Sequence, residues 1–166
     1  MPHPSPEVEA FVGIGSNLAD PRRQIERAMH ALSHLPHTRL IAQSSLYRTA
    51  PHGVTALQPD YINAVAMLAT GLSPEALLHE LQAIERAHRR RRSAPNAPRS
   101  LDLDLLLYGA HRRRSARLHV PHPRLHRRAF VLKPLLEIAP DVAIPGLGRA
   151  RKFLPGARSQ RVFLLA

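Results

Sequence analysis

An alternation of leucine and aspartate opens the segment 101–108, Leu-Asp-Leu-Asp-Leu-Leu-Leu-Tyr. Successive side chains of a β-strand point to opposite faces of the sheet, so this pattern predicts a strand with one apolar and one acidic face. The leucines expected to lie under helices are Leu101, Leu103, Leu105 and Leu107. Asp102 and Asp104 are expected to point outward from the opposite, open face. The chain is therefore constrained to build a sheet that is covered by helices on one side.

The paired carboxylates predict a site for a divalent cation. Two like charges about 7 Å apart along a strand repel each other, and aspartate is disfavoured in strands. Mg²⁺ prefers one or two carboxylates together with substrate phosphates and water, which Asp102 and Asp104 could complete. The alternative is a solvated strand face that happens to carry two acidic residues.

The order of the remaining elements predicts an α+β fold of the ferredoxin-like βαββαβ type, an antiparallel sheet with both helices on one face. Strands are expected at residues 8–15, 38–48, 61–70 and 101–108. Asp20 should cap the first helix with Pro21 in its first turn, and Ser73 and Pro74 should do the same for the second. The C-terminal additions are a hairpin near Leu118, a helical region at 123–139 and a tail rich in Gly and Arg.

A single domain over residues 8–166 is expected, preceded by a disordered leader at 1–7. There is no cysteine, so disulfides and thiolate chemistry are excluded. No signal sequence is apparent, and no apolar run approaches the eighteen or so residues of a membrane span, so we expect a cytoplasmic protein.

The net charge of +12 favours an anionic partner. A polyphosphate ligand and a nucleic acid both fit this charge. A basic nucleic-acid-binding domain remains an alternative, although aromatic residues make up only 4% of the chain and no Lys/Arg-Gly-Phe-type RNA motif is present.

The third predicted strand places Tyr61 and Asn63 on the same open face as the aspartates. Its apolar set, expected under the helices, is Ile62, Ala64, Ala66 and Leu68. An aromatic ring can stack on a flat heterocycle and an amide can read its donors and acceptors. A Tyr and an Asn on a solvated sheet are the alternative.

Basic residues flank the aspartate strand on both sides. Arg89 to Arg92 end the second helix, Arg99 precedes the strand, and Arg117, Arg127 and Arg128 follow it. His122 could donate to a phosphate. The Gly-x-x-x-x-Gly-Lys phosphate loop is absent from the sequence, so any nucleotide is held without a standard P-loop.

Taken in order, these segments resemble the 6-hydroxymethyl-7,8-dihydropterin pyrophosphokinase (HPPK) family. The matching stretches lie at residues 12–18, 45–51, 58–64, 98–105, 120–122 and 128–140. The resemblance implies a folate-pathway kinase, a monomer that moves the diphosphate of ATP onto 6-hydroxymethyl-7,8-dihydropterin and releases AMP.

The resemblance also implies roles for individual residues. Asp102 and Asp104 would bridge two Mg²⁺ ions on the ATP phosphates, with Arg90 and Arg99 as the other catalytic residues. The pterin would be bound by Thr49, Pro51, Gly53, Tyr61, Asn63 and Phe130. ATP would be bound by Gln82, Arg90, Arg92, Arg99, Leu105, Arg117, His122 and Arg128.

The segment before the aspartate strand departs from the family pattern. Arg89 stands where the family usually has Gly, and Asn96-Ala-Pro-Arg99 replaces the common Trp-Gly-Pro-Arg in a loop one residue shorter. A divergent relative that binds pterin without efficient catalysis is therefore the alternative within the same family.

Overall fold

A computed structural model describes residues 6–17, 20–49, 60–90 and 101–165, without the side chains of 89 and 90. Its main strands are β1 (Val8–Ser16), β2 (Thr38–Gln43), β3 (Tyr47–Thr49), β4 (Tyr61–Thr70) and β5 (Leu101–Tyr108). The α-helices are α1 (Pro21–Ser33), α2 (Pro74–Arg90) and α3 (Ala129–Ile138). The short strands are β6 (Arg113–Arg114), β7 (His119–Val120), β8 (Ala143–Ile144), β9 (Gly148–Arg149) and β10 (Phe163–Leu164). Single 3₁₀ turns occur at Leu125–Arg127, Ala150–Phe153 and Pro155–Ala157.

The main sheet is antiparallel in every pairing and runs in the order β5-β1-β4-β3-β10, with β2 also paired to β4. The strand predicted at 38–48 is divided into β2 and β3, so that prediction is wrong in its continuity. Ser44 causes the interruption: its backbone N–H donates to Val65 O, and its hydroxyl accepts from Val65 N–H at 2.9 Å. The side chain thereby replaces one bond of the ladder.

Helices α1 and α2 pack on the same face of the sheet, as predicted. Their buried residues form one core with the inward-facing strand residues, namely Ile25, Leu32, Leu77 and Leu81 with Val12, Ile62, Ala64, Ala66 and Leu68. Ser73 caps α2 as predicted, since its hydroxyl accepts from Ala76 N–H at 3.1 Å. Asp20 precedes Pro21 as expected but makes no capping hydrogen bond with its side chain to the described residues. Its left-handed backbone (φ 55°) departs from the extended conformation that a side-chain cap requires.

The opposite face of the sheet is partly covered, which corrects the expectation of an open face. Helix α3 packs against β4, and a second core joins Phe11, Val65, Leu106 and Leu107 to Leu132 and Leu135. Leu107 was expected beside Leu105 under α1 and α2, and that prediction is wrong. The β1–β5 register shifts between Phe11 and Val12, and this bulge turns Leu107 to the other face. Tyr108 takes its place in the first core.

The C-terminal tail adds the edge strand β10 to β3, with Phe163 opposite Arg48. At the other terminus, residues 1–5 of the expected leader lie outside the described residues, and Glu7 pairs with Arg39 at 2.7 Å. Across the described part of the chain, no helix has the length and apolar character needed to cross a membrane.

Candidate active site

A cavity of about 460 Å³ lies on the face of the sheet away from α1 and α2, where β1, β4 and β5 meet the start of α3. Seven of the residues to which the family resemblance assigns a role line it, namely Thr49, Tyr61, Asn63, Asp102, Asp104, Arg128 and Phe130. Four separate segments of the chain supply them. The sheet and α3 therefore bring together the carboxylates, the aromatic rings, the amide and one basic group of the predicted site.

Two glycines of β1 form the floor between the carboxylates and the amide. Gly15 lies between Asp102 on β5 and Asn63 on β4, and Gly13 lies opposite Asp104. A Cβ atom on Gly15 would be 3.0 Å from Asn63 Oδ1. The Gly-x-Gly pattern thus keeps the space above the central strand free of side chains, a role that was not predicted from the sequence.

The aspartate strand is fixed at the sheet edge by α2. Between the two carboxylates, Leu103 N–H donates to Glu85 Oε2 at 2.9 Å. Partial removal from water raises the pKa of Asp104, the nearby charge of Asp102 raises it further, and Arg128 opposes both effects. A cation between Asp102 and Asp104 would relieve this repulsion.

The amide of Asn63 is oriented by a neighbouring strand. Its Nδ2 donates to Thr49 Oγ1 at 3.0 Å, and both residues are buried. With one N–H held by Thr49, the second N–H and the Oδ1 acceptor remain to face a ligand in the cavity. Tyr61 pairs with Thr49 across the two strands and lines the same wall.

Phe130 and Arg128 lie at the start of α3 on the far wall. The Arg128 guanidinium lies over the Phe130 ring, 5.4 Å from its centroid, in a cation–π arrangement. Arg128 also acts electrostatically on Asp104. One residue therefore links the aromatic wall to the carboxylates.

A second, basic cavity of about 730 Å³ adjoins the first, and Arg127 lines both. His122 lies in this second cavity. Burial, followed by Arg128 and Arg124, lowers the pKa of His122 to about 4. Its Nδ1 accepts from Arg124 N–H at 3.1 Å, so the neutral ring carries its proton on Nε2. His122 is thus a neutral hydrogen-bond donor at neutral pH.

Three predicted ATP contacts line neither the first nor the second cavity. Leu105 is buried in the core under α1 and α2, so only its backbone is available to a ligand on the other face. Gln82 is exposed on α2, and Arg117 is exposed in the turn before β7. Pro51, Gly53, Arg92 and Arg99 lie outside the described residues, as does the side chain of Arg90 at the end of α2.

The lining residues that were not predicted from the sequence include Gly13, Gly15 and Gln160. The glycines carry no side-chain chemistry to signal a site, and Gln160 comes from a tail with no recognisable pattern. In the part of the chain that the structure describes, no three His, Cys, Asp or Glu side chains gather as a metal cluster. Two carboxylates that line one cavity are a donor set for a cation such as Mg²⁺, which takes its other ligands from substrate and water.

A concave site with an aromatic wall, a held amide and paired carboxylates suits a planar ligand bound beside an anionic group. Comparison with known proteins agrees with this geometry. The family model for 7,8-dihydro-6-hydroxymethylpterin-pyrophosphokinase (HPPK) matches residues 11–140. The chain belongs to this family.

Individual relatives give the same result. The chain is 50% identical to the 2-amino-4-hydroxy-6-hydroxymethyldihydropteridine pyrophosphokinase of Pseudomonas aeruginosa, over 81% of this chain and 83% of that protein. The corresponding Haemophilus influenzae protein is 46% identical, over 83% of this chain and 86% of its own length.

Solved structures share the fold at low sequence identity. The wild-type Plasmodium falciparum HPPK-DHPS crystal structure with pteroate superposes with a TM-score of 0.73 at 13% identity and covers 96% of this chain. An HPPK-DHPS structure in complex with substrates gives 0.70 over 92%. The chain spans 44% and 43% of those two chains, so less than half of their length is represented here.

Proposed function

We propose that the cavity is the active site of a pyrophosphokinase that transfers diphosphate from ATP to 6-hydroxymethyl-7,8-dihydropterin in folate biosynthesis, with AMP as the second product. Family membership makes the chain an ATP-dependent diphosphotransferase. The observation that carries the site assignment is the joint lining of one cavity by Asp102, Asp104, Asn63 and Phe130.

Asp102 and Asp104 would hold Mg²⁺. Their fit to a cation rests on their position, since both carboxylates line the same cavity, and burial together with the charge of Asp102 raises the pKa of Asp104. When bound, the metal would neutralise charge on the ATP phosphates. Two ions are proposed from the family resemblance.

Tyr61, Asn63 and Phe130 would bind the pterin. A flat bicyclic ring presents two faces to aromatic side chains, and Phe130 faces the sheet from α3 across the cavity. The Asn63 groups left free by Thr49 would pair with the ring edge, which carries both donors and acceptors. Thr49 is thus proposed to act on the pterin through Asn63.

The remaining residues would position and neutralise the phosphates. Arg128 acts electrostatically on both Asp104 and His122, and Arg127 lines both cavities. His122 would donate Nε2–H to a phosphate oxygen without adding charge. Arg117 and Gln82 would contact the nucleotide from the surface, and Leu105 through its backbone.

In the reaction, the pterin hydroxyl oxygen attacks the β-phosphorus in line. A new P–O bond forms, the bond from the β-phosphorus to the α,β-bridging oxygen breaks, and AMP leaves. The hydroxyl proton is released to water. Phosphoryl transfer of this kind depends mainly on positioning and electrostatic stabilisation, which are the contributions proposed for the side chains of the cavity.

Several finer assignments belong to the same proposal. The strand order β5-β1-β4-β3 supports the proposal of a ferredoxin-like fold, in which β2 and β3 together would act as the second strand. We propose a cytoplasmic monomer with one domain over residues 8–166. Arg90, Arg92, Arg99, Pro51 and Gly53 keep the roles that the family resemblance implies.

AMP release tests the proposal directly. Purified protein is incubated with ATP and Mg²⁺, with and without 6-hydroxymethyl-7,8-dihydropterin, and AMP is measured. We expect AMP only with both substrates and with Mg²⁺ present. Pterin binding without AMP release would instead support a non-catalytic relative, and salt-sensitive oligonucleotide binding without either would support a nucleic-acid-binding domain.

A further inference from the structure

Gln160 lies in the C-terminal tail, outside the residues 11–140 that match the family model, and yet it lines the first cavity. It follows the 3₁₀ turn Pro155–Ala157, and its backbone N–H donates to Ala157 O at 3.0 Å. The tail is fixed further along by β10, which pairs with β3. Gln160 is therefore held on a segment that is itself anchored to the sheet.

The side chain of Gln160 binds the backbone at the start of α3 with both of its polar atoms. Its Oε1 accepts from Ala129 N–H at 2.9 Å, and its Nε2 donates to Arg127 O at 2.7 Å. Ala129 offers a donor and Arg127 an acceptor, so the two partners determine the orientation of the amide.

This amide replaces the missing cap of α3. The first N–H groups of a helix have no partner within the helix, and they are commonly satisfied by the side chain of the N-cap residue. Arg128 occupies that position, and its side chain makes no capping hydrogen bond. Gln160 satisfies the Ala129 N–H from the distant tail instead.

The two hydrogen bonds enclose the backbone of Arg128, one on each side. Arg128 carries the guanidinium that lies over Phe130 and that opposes the rise in the pKa of Asp104. Phe130 follows within the first turn of α3. The residues proposed to meet the phosphates and the pterin therefore share one short segment, and Gln160 fixes its backbone.

We infer that Gln160 is a positioning residue of the active site, which holds Arg128 and Phe130 in register with the carboxylates and Asn63. The inference rests on the proposed function. It assigns to the C-terminal tail a part in substrate binding that the family match does not include.

The far end of α3 is anchored independently. Glu137 accepts from Tyr47 Oη at 2.5 Å and from Ser45 N–H at 2.9 Å, which ties the last turn to β3. Leu132 and Leu135 are fully buried in the second core. Loss of Gln160 should therefore free the first turn of α3 while the rest of the helix stays packed.

Gln160→Ala tests the inference, with Ser159→Ala as the matched control on the neighbouring exposed position. We expect the KM for the pterin to rise about tenfold in Gln160→Ala, since the variant loses the two hydrogen bonds that fix the backbone segment carrying Arg128 and Phe130. The control should keep wild-type values. A purely structural role would reduce the amount of folded enzyme but leave the KM of that folded enzyme unchanged.

A double-mutant cycle with Phe130→Ala identifies the route of the effect. The pterin Kd is measured by titration calorimetry with Mg²⁺ and a non-hydrolysable ATP analogue. Once Phe130 is removed, Gln160→Ala should weaken binding by much less than tenfold, because Gln160 acts through the missing ring. Additive losses would overturn the inference.

Two further outcomes would also overturn it. Wild-type KM in Gln160→Ala would show that α3 holds its first turn unaided, and a variant that fails to fold would give Gln160 a general structural role. Absence of AMP release by the wild-type protein would reject the proposed function, and this inference with it. An active wild-type enzyme with an unaltered Gln160→Ala variant rejects the inference alone.

Discussion

Gly15 lies directly opposite Asn63 in the β1–β4 ladder, and a Cβ atom at Gly15 would be 3.0 Å from Asn63 Oδ1. That distance is shorter than an ordinary van der Waals contact, so the amide would have to move. Gly13 lines the same cavity, but a Cβ atom there would meet only Leu106 at 3.4 Å. A side chain at Gly15 would therefore displace the Asn63 amide, whereas a methyl group at Gly13 would make only an ordinary contact with Leu106.

Gly15→Ala should raise the KM for the pterin about tenfold, because displacement of the Asn63 amide weakens its hydrogen bonds to the ring edge. Thermal stability should change little, since displacement of the Asn63 amide offsets the gain from an alanine that restricts the unfolded chain. Gly13→Ala should have a smaller effect on KM. Steady-state kinetics measure the KM for the pterin in both variants. An equal rise in KM in the two would contradict a specific role for Gly15.

Thr49→Val removes the hydroxyl that orients the Asn63 amide and nearly preserves side-chain volume. The buried Nδ2 then loses its acceptor. We expect the unfolding free energy to fall by about 1–3 kcal/mol and the KM for the pterin to rise roughly fivefold. Chemical denaturation and steady-state kinetics measure the two effects.

Thr38→Val is the matched control for this change. The Thr38 hydroxyl contacts Thr70 Oγ1 at 2.8 Å, near the end of β4 remote from Tyr61 and Asn63. Its loss should lower stability and leave KM unaltered. A Thr49→Val variant with wild-type KM would show that Asn63 keeps its orientation without Thr49.

The face of each strand could be predicted from the sequence because alternation is a local property of the backbone. The pattern placed Asp102 and Asp104 on one face of the sheet and Leu103 on the other, and it separated Asn63 from Ala64 in the same way. The structure agrees. It failed at Leu107, where a bulge shifts the register. A bulge depends on the pairing of two strands, and neither strand reveals it alone.

The cover on the second face could not be predicted, since it depends on tertiary packing. The apolar stripe of α3 indicates a buried helix but not which surface buries it. The role of Gln160 is equally hidden, because its partners are backbone atoms of Arg127 and Ala129, which have no sequence signature. The glycine floor of the cavity is likewise visible only once β1 is seen between β4 and β5.

Asp102→Asn and Asp104→Asn should each lower kcat by roughly two to three decades, because a charge that holds the metal and its phosphates is lost. Stability should not fall with Asp104→Asn. The pKa of Asp104 is raised in the folded state, so its ionisation at neutral pH opposes folding, and the amide removes that effect.

Turnover, Mg²⁺ dependence and thermal melting of these variants test the metal assignment. Glu26→Gln, an exposed carboxylate on α1, is the control and should retain wild-type turnover. If both aspartate variants kept full activity, Asp102 and Asp104 could not be the metal ligands.

His122 should make the stability of the protein fall in mild acid. Its pKa is lowered to about 4 in the folded state by burial, Arg128 and Arg124, whereas an unfolded histidine titrates near 6.5. Between those two values the unfolded chain binds the additional proton. The unfolding free energy therefore rises with pH across this window, and the contribution of His122 is lost as the pH falls.

His122→Asn removes the titrating ring, and its shorter amide can still accept from Arg124 N–H. After a discount for partial exposure, the loss of stability from pH 6.5 to pH 4 should be smaller in this variant by on the order of 2 kcal/mol. Denaturation curves at a series of pH values measure the slope, with His79→Asn on the exposed surface of α2 as the control. An unchanged slope in His122→Asn would mean that His122 has the same pKa in the folded protein as in the unfolded chain, and the lowered pKa assigned to the buried ring would then be wrong.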